Sequence, residues 1–157
     1  MQAVSNEGRS VSEAAGTWIA ALRRYALFMA PTSLVWEILQ VPLYTIWRKG
    51  TLSDIAFSVV HCAVGDLLIA LACLVAALIL LGEPSWPRGG RVRIALAAVV
   101  FGLAYAVYSE WLNVVVRGSW AYSEHMPVVP PLGTGLSPLL QWLLLPPLGL
   151  WWARRRQ

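Results

Sequence analysis

Four long apolar stretches, separated by shorter polar segments, dominate the hydrophobic pattern of the chain. They cover residues 25–47, 55–81, 92–116 and 136–152. A helix needs roughly 20 mostly apolar residues to cross about 30 Å of hydrocarbon, because it rises about 1.5 Å per residue. The pattern therefore predicts an all-α membrane protein whose transmembrane domain, residues 25–152, is a bundle of four helices.

The segments outside these stretches are expected to lie at the membrane surfaces. In residues 1–24, Ser10 followed by Glu13 fits a capping box that opens a short amphipathic helix on the cytoplasmic surface. Residues 117–135 form an outer loop rich in Pro, Gly and aromatic residues, which favours a folded cover over a site. Within it, Trp120 and Tyr122 are expected to anchor the membrane interface. Residues 153–157 form a basic tail.

Prolines are expected to bend the first and fourth helices. Pro31 and Pro42 lie in the first stretch, and Pro146 and Pro147 lie in the fourth. A proline inside a helix frees a carbonyl one turn earlier and bends the axis. Ser137 followed by Pro138 is typical of an N-cap and the first helical position. Bent helices leave room for a cavity in the bundle.

The distribution of basic residues predicts the orientation in the membrane. Of 12 Lys and Arg, nine fall on the side of the termini and three on the other. The nine are Arg9, Arg23, Arg24, Arg88, Arg91, Arg93, Arg154, Arg155 and Arg156, and the three are Arg48, Lys49 and Arg117. Because cytoplasmic segments carry the excess of Lys and Arg, both termini are expected in the cytoplasm of a bacterial cell, with the protein in its inner membrane. The basic residues form no stripe with aromatics, which argues against nucleic-acid binding.

Small residues line one face of each of the two central helices. The faces comprise Ser58, Cys62, Gly65, Ala72 and Ala76 on the second helix, and Gly102, Ala106, Ser109 and Asn113 on the third. Small residues let helices approach closely in lipid. These faces can be satisfied within one bundle or between copies of a homo-oligomer.

Three carboxylic acids, Glu37, Asp66 and Glu110, lie inside predicted spans where the nearest basic group is His61. An unpaired charge there costs about 2.5 kcal/mol or more. The acids must therefore be protonated, hydrated in a cavity or neutralised by a cation. Helical rise places His61 and Glu110 about 9 Å from the outer ends, and the other two about 15 to 17 Å deep. The cytoplasmic halves, residues 67–81 and 94–104, contain no acid or base, which argues against a channel or pump.

The leading hypothesis is a pocket, open to the outer leaflet, that binds or acts on a lipid-like or isoprenoid-like molecule by acid–base chemistry. His61 or Glu110 would transfer the proton, while Glu37 and Asp66 would stay neutral and donate hydrogen bonds. Membrane lipids and a hydrophobic small molecule are the expected partners. The further candidate ligand-binding residues are Gln40, Trp36, Tyr105, Asn113, Glu124, His125 and Trp142.

Three alternatives remain open from the sequence. His61 and the acids can form a site for a divalent metal, although the leading hypothesis needs no cofactor. The acids can pair with Lys or Arg of a larger membrane protein, which would make this chain an accessory subunit. They can also serve only as hydrogen bonds between helices. The sequence contains no nucleophile elbow, phosphate-binding glycine loop or HExxH motif that would name a reaction.

Overall fold

The fold is known from a computed structural model, which describes residues 2–82, 86–87 and 89–154, with side chains from residue 16 onward. The chain is 79% helical, which confirms the all-α class. The helices are α1 (Gln2–Gln40), α2 (Ile46–Lys49), α3 (Leu52–Leu81), α4 (Arg91–Glu110) and α5 (Leu136–Arg154). A 3-10 turn, Val41–Leu43, follows α1, and a π-helical segment, Trp111–Val116, prolongs α4. Two short strands, β1 (Val128–Val129) and β2 (Thr134–Gly135), pair antiparallel.

Three of these helical stretches are long and apolar enough to cross a membrane. Within the described part of the chain they are Gly16–Leu43, Leu52–Leu81 and Arg91–Val116. The apolar side chains that they expose, such as Val64 and Leu68 on α3, suit contact with lipid. The chain is therefore an integral membrane protein.

The four long helices pack in a closed ring. Helices α1 and α4 each contact both α3 and α5. The ends of α1 and α4 therefore meet the beginnings of α3 and α5 at one end of the bundle, called here the cavity end. At the opposite end, Arg24 Nη1 donates to Ala153 O at 3.4 Å, and the rings of Trp18 and Trp86 pack edge to face with centroids 5.5 Å apart.

The apolar core is concentrated away from the cavity end. Its most deeply buried side chains include Tyr25 and Met29 on α1, Leu74 on α3 and Ile94 on α4. Between membrane-spanning helices such side chains stabilise the bundle by van der Waals packing, because lipid tails are as apolar as they are. The buried polar residues Glu37, Gln40, Glu110 and Gln141 lie toward the other end. The bundle thus separates an apolar half from a polar half, as the one-sided sequence pattern predicts.

The first helix differs from the predicted one at both ends. Ser10 lies inside α1, so the separate helix with a capping box at Ser10 is wrong. Between Ser10 and Tyr25, Gly16 is the residue that disfavours a helix most. Its cost of about 1 kcal/mol relative to alanine is too small to end the helix. At the other end, α1 stops at Gln40 rather than continuing through residue 47, because Pro42 lies in the 3-10 turn and has no N–H to donate.

The other helix ends depend on local hydrogen bonds. Helix α3 begins at Leu52, where Thr51 and Asp54 form a reciprocal capping box, with Thr51 N donating to Asp54 Oδ2 at 2.9 Å. The predicted N-cap at Ser137 is wrong, because α5 already begins at Leu136 and the Ser137 hydroxyl donates elsewhere, to Gln40 Oε1. Pro31 lies inside α1, and Pro146 and Pro147 lie inside α5, without ending either helix. Bends at these prolines stay predictions.

At Gly102, α4 packs directly against α5. A Cβ atom at this position would overlap the Trp142 ring, lying 2.9 Å from Cζ3 and closer still to Cε3. Gly102→Ala is therefore expected to destabilise the bundle by about 1–3 kcal/mol, the usual cost of overpacking. The measurement is unfolding in mixed micelles, followed by circular dichroism. Gly65→Ala is the matched control, since no atom lies within 4 Å of a Cβ there. Equal stability of the two variants would contradict the close packing.

Candidate functional site

A cavity of about 670 Å³ lies at the cavity end, between α1, α3, α4 and α5. Its wall includes most of the side chains that the sequence singles out: Glu37, Gln40, His61, Asp66, Tyr105, Glu110, Asn113 and Trp142. Helical spacing places these residues toward one interior. The structure therefore brings three acids from three different helices to a single cavity.

Glu37 on α1 and Asp66 on α3 form a carboxyl pair at the wall of this cavity. Gln40 Nε2 donates to Glu37 Oε1, and Gln141 Nε2 donates to Asp66 Oδ2, both at 2.6 Å. The two carboxyl groups are also within hydrogen-bonding reach of each other. Because two carboxylates in contact repel, the pair is expected to hold one proton between them. Among the described residues, no salt bridge reaches either acid.

A second layer of hydrogen bonds orients the amide of Gln40. Ser137 Oγ donates to Gln40 Oε1 at 2.8 Å, which leaves Nε2 of the same amide to face Glu37. Gln141 lies one turn after Ser137 on α5 and is 3% exposed. Gln141 is not among the site residues predicted from the sequence. The sequence does contain a signal for Gln141. It lies four residues after Ser137 in an apolar helix, so the two polar side chains share one face.

Glu110, the last residue of α4, accepts hydrogen bonds at the other side of the cavity. The hydroxyl groups of Tyr122 and Tyr44 both donate to its carboxyl group, the latter at 3.5 Å. The Tyr122 hydroxyl in turn accepts from Gly135 N at 2.9 Å. Burial and the bond to Glu110 raise the pKa of Tyr122 well above its usual range, so this hydroxyl keeps its proton and donates.

The loop of residues 117–135 covers the cavity, as expected, but its aromatic residues do more than anchor an interface. Thr45 N donates to Ala121 O and Ser123 N donates to Leu43 O, each at 2.9 Å, which fastens the loop to the end of α1. Trp120 lines the cavity, and Tyr122 reaches Glu110. The structure thus adds contacts at the cavity, and the expected role of both residues as interface anchors stays a prediction. A tyrosine in a long loop gives no periodic signal that would tell these roles apart.

His61 reaches the edge of the cavity but does not join the acids. Its ring is exposed and stacks on Phe57, with centroids 5.5 Å apart. In the part of the chain that is described, no hydrogen bond or ion pair links His61 to Glu110, although helical rise places the two residues at a similar depth. Nor does any group of three His, Cys, Asp or Glu side chains there form a metal-binding cluster. The proposed site for a divalent metal, made of His61 and the acids, is therefore not assembled.

Three predicted ligand-binding residues lie outside the cavity. Trp36 packs against the apolar core. Glu124 and His125 lie in a turn closed by Met126 N and Ser123 O at 3.1 Å, so their side chains project away from the cavity. There Arg48 binds Glu124 Oε1 at 2.6 Å and His125 Nε2 at 3.0 Å. Hydrogen bonds from its own backbone N–H and from Arg48 hold the pKa of Glu124 below its usual range.

The mouth of the cavity is charged, in contrast to its depth. Lys49, Asp54 and Arg117 line this rim, whereas the deep polar groups are carboxyl and amide groups. Aromatic and aliphatic side chains, including Trp142 and Ile69, complete the wall. Such a cavity suits a molecule with a polar head and an apolar body.

No protein-family model, curated protein or solved structure matches this chain. The function is therefore argued from the geometry of the site.

Proposed function

We propose that this protein binds a lipid-like or isoprenoid-like molecule in the cavity and acts on its polar head by proton transfer. The observation that carries the proposal is the Glu37–Asp66 pair. It lines a cavity of about 670 Å³ inside candidate membrane spans, with amide donors fixed on both carboxyl groups. Intramembrane ionisable groups are expensive and usually functional.

The two sides of the cavity suit two different roles in proton transfer. The Glu37–Asp66 pair holds a shared proton and is the proposed donor to a ligand. Glu110 accepts hydrogen bonds from Tyr122 and Tyr44, so its oxygens are acceptors and it is the proposed base. An acid and a base on opposite walls can exchange a proton with a head group between them. His61, at the edge, is assigned to ligand contact rather than to proton transfer.

The proposed topology has four spans with both termini in the cytoplasm. Helix α5 has 19 residues, enough to cross most of the hydrocarbon, and it packs between α1 and α4. Among the described side chains, Arg23, Arg24, Arg91, Arg93 and Arg154 lie toward the end opposite the cavity, which supports a cavity open toward the outer leaflet of a bacterial inner membrane.

The test is native mass spectrometry of protein released from nanodiscs made with its native lipid extract. A defined lipid-sized mass is expected on the wild type and is expected to be lost, at least tenfold, in Glu110→Gln and in Asp66→Asn. Each variant keeps the side-chain volume and removes the carboxylate. Glu124→Gln is the matched control, because Glu124 is an exposed carboxylate outside the cavity.

The possible results separate the hypotheses. An adduct lost only in the two cavity variants supports the proposal. A mass of one metal ion would favour the divalent cation instead. A bare wild-type protein, or one that copurifies with a larger subunit, would favour the accessory-subunit interpretation and overturn the proposal.

A further inference from the structure

The side of the cavity facing α3 and α4 differs from its other sides. No atom lies within 4 Å of the position a Cβ would occupy on Gly65 of α3. Around this gap the cavity-lining side chains of Phe57, His61 and Tyr105 are exposed, Phe57 by 69% and Tyr105 by 40%. Residues that line an interior and are also exposed mark an opening. The opening runs from Gly65 toward the rim at Asp54 and Arg117.

Each of the three remaining seams of the bundle has a close contact near the cavity. Between α1 and α3, Val59 and Ala63 are buried. Between α4 and α5, Gly102 lies against the Trp142 ring. Between α1 and α5, Ser137 is hydrogen-bonded to Gln40. The gap at Gly65 therefore leads sideways from the cavity, out of the wall formed by two candidate membrane spans.

We infer that the ligand enters the cavity sideways from the bilayer, through the opening between α3 and α4, called here the slot. Gly65 lies where the slot meets the cavity. This inference rests on the proposed function and adds the route and the ligand class. The ligand is an amphiphile whose hydrocarbon chain stays in the slot, against bilayer lipid, while its head reaches the acids.

The chemistry of the cavity specifies the head group. The acids and the acceptor oxygens of their partners favour a head that donates hydrogen bonds, and they repel an anionic one. A hydroxyl group and a protonated amine share this donor chemistry. The aromatic rings of Trp120 and Trp142 in the wall are compatible with either.

The test measures binding of four probes to protein in phosphatidylcholine nanodiscs, by native mass spectrometry titration. The probes are hexadecanol, hexadecylamine, hexadecyl sulfate and butylamine. The wild type is expected to bind the first two and not the sulfate. Gly65→Leu is expected to weaken their binding at least tenfold, because its side chain fills the slot. Gly65→Ala is expected to weaken it less than threefold.

The matched control is Ala72→Leu, an exposed position on α3 outside the cavity wall, where binding is expected to stay at the wild-type level. Circular dichroism melting checks that Gly65→Leu still folds, as the open space at Gly65 implies. Unchanged binding by a folded Gly65→Leu would overturn the side entrance and leave the proposed function standing. The side entrance would also be overturned if butylamine bound as tightly as hexadecylamine. If the wild type binds neither hexadecanol nor hexadecylamine, both the side entrance and the proposed function are overturned.

Discussion

Replacing Gln141 with leucine is expected to destabilise the bundle by about 1–3 kcal/mol, although leucine is apolar and similar in size. The reason is that Asp66 Oδ2 loses the amide that donates to it at 2.6 Å. Removing one partner of a hydrogen bond in a nonaqueous environment leaves the other unsatisfied, and that penalty exceeds the net value of the bond itself. The measurement is unfolding in mixed micelles, followed by circular dichroism.

The double variant Gln141→Leu with Asp66→Leu distinguishes this cause from altered packing. If the lost donor is responsible, the second substitution removes the unsatisfied group and recovers part of the stability. If the two losses simply add, the bond between α5 and α3 contributes nothing and the interpretation of the site as a hydrogen-bonded network is wrong.

Tyr122→Phe is expected to loosen the cover of the cavity and to weaken ligand binding at least tenfold. The substitution removes one oxygen but breaks two hydrogen bonds, the donation to Glu110 and the acceptance from Gly135 N. Each broken bond leaves one group without its hydrogen-bonding partner. A loss of about 2–4 kcal/mol in the free energy of unfolding is therefore expected. Limited proteolysis of the loop, residues 117–135, provides the second measurement, with faster cleavage expected in the variant.

Tyr44→Phe is the matched control for this prediction. Its hydroxyl group donates to the same carboxyl group, but at 3.5 Å, where a hydrogen bond is weak. The substitution is expected to change stability by less than about 0.5 kcal/mol. Equal effects of the two substitutions would show that Tyr122 does not hold the cover in place.

The sequence predicts the helices of this protein well because their cause is local. Apolar runs long enough to cross a membrane are visible without any tertiary information, and three of the four are confirmed as candidate spans. The helix ends are predicted less well. The capping box of Thr51 and Asp54 starts α3 at Leu52, three residues before the apolar run at residue 55 from which the sequence predicts the helix. Pro42, expected to bend a helix, instead follows its end.

In the candidate site, too, residues with a local signal in the sequence are predicted, and residues placed by tertiary contacts are not. Glu37, Asp66 and Glu110 stand out because acids are rare in apolar helices, and the structure gathers them at one cavity. Their partners could not be found in this way. Tyr122 comes from a loop that has no periodicity, and its contact with Glu110 depends on where backbone bonds fasten that loop to Leu43 and Thr45. For His61, depth alone suggested a role in proton transfer, but a residue at the right depth can still face outward.

The hydrogen bonds around the acid pair also fix the alignment of the helices. They run from Ser137 on α5 to Gln40 and Glu37 on α1, and from Gln141 on α5 to Asp66 on α3, whose carboxyl group lies within hydrogen-bonding reach of Glu37. The contact between Trp142 and Gly102 aligns α5 with α4, and these polar bonds align it with α1 and α3. A slip of α5 by one turn, about 5.4 Å, would break both of its bonds at once. The polar ring therefore selects one register of the bundle.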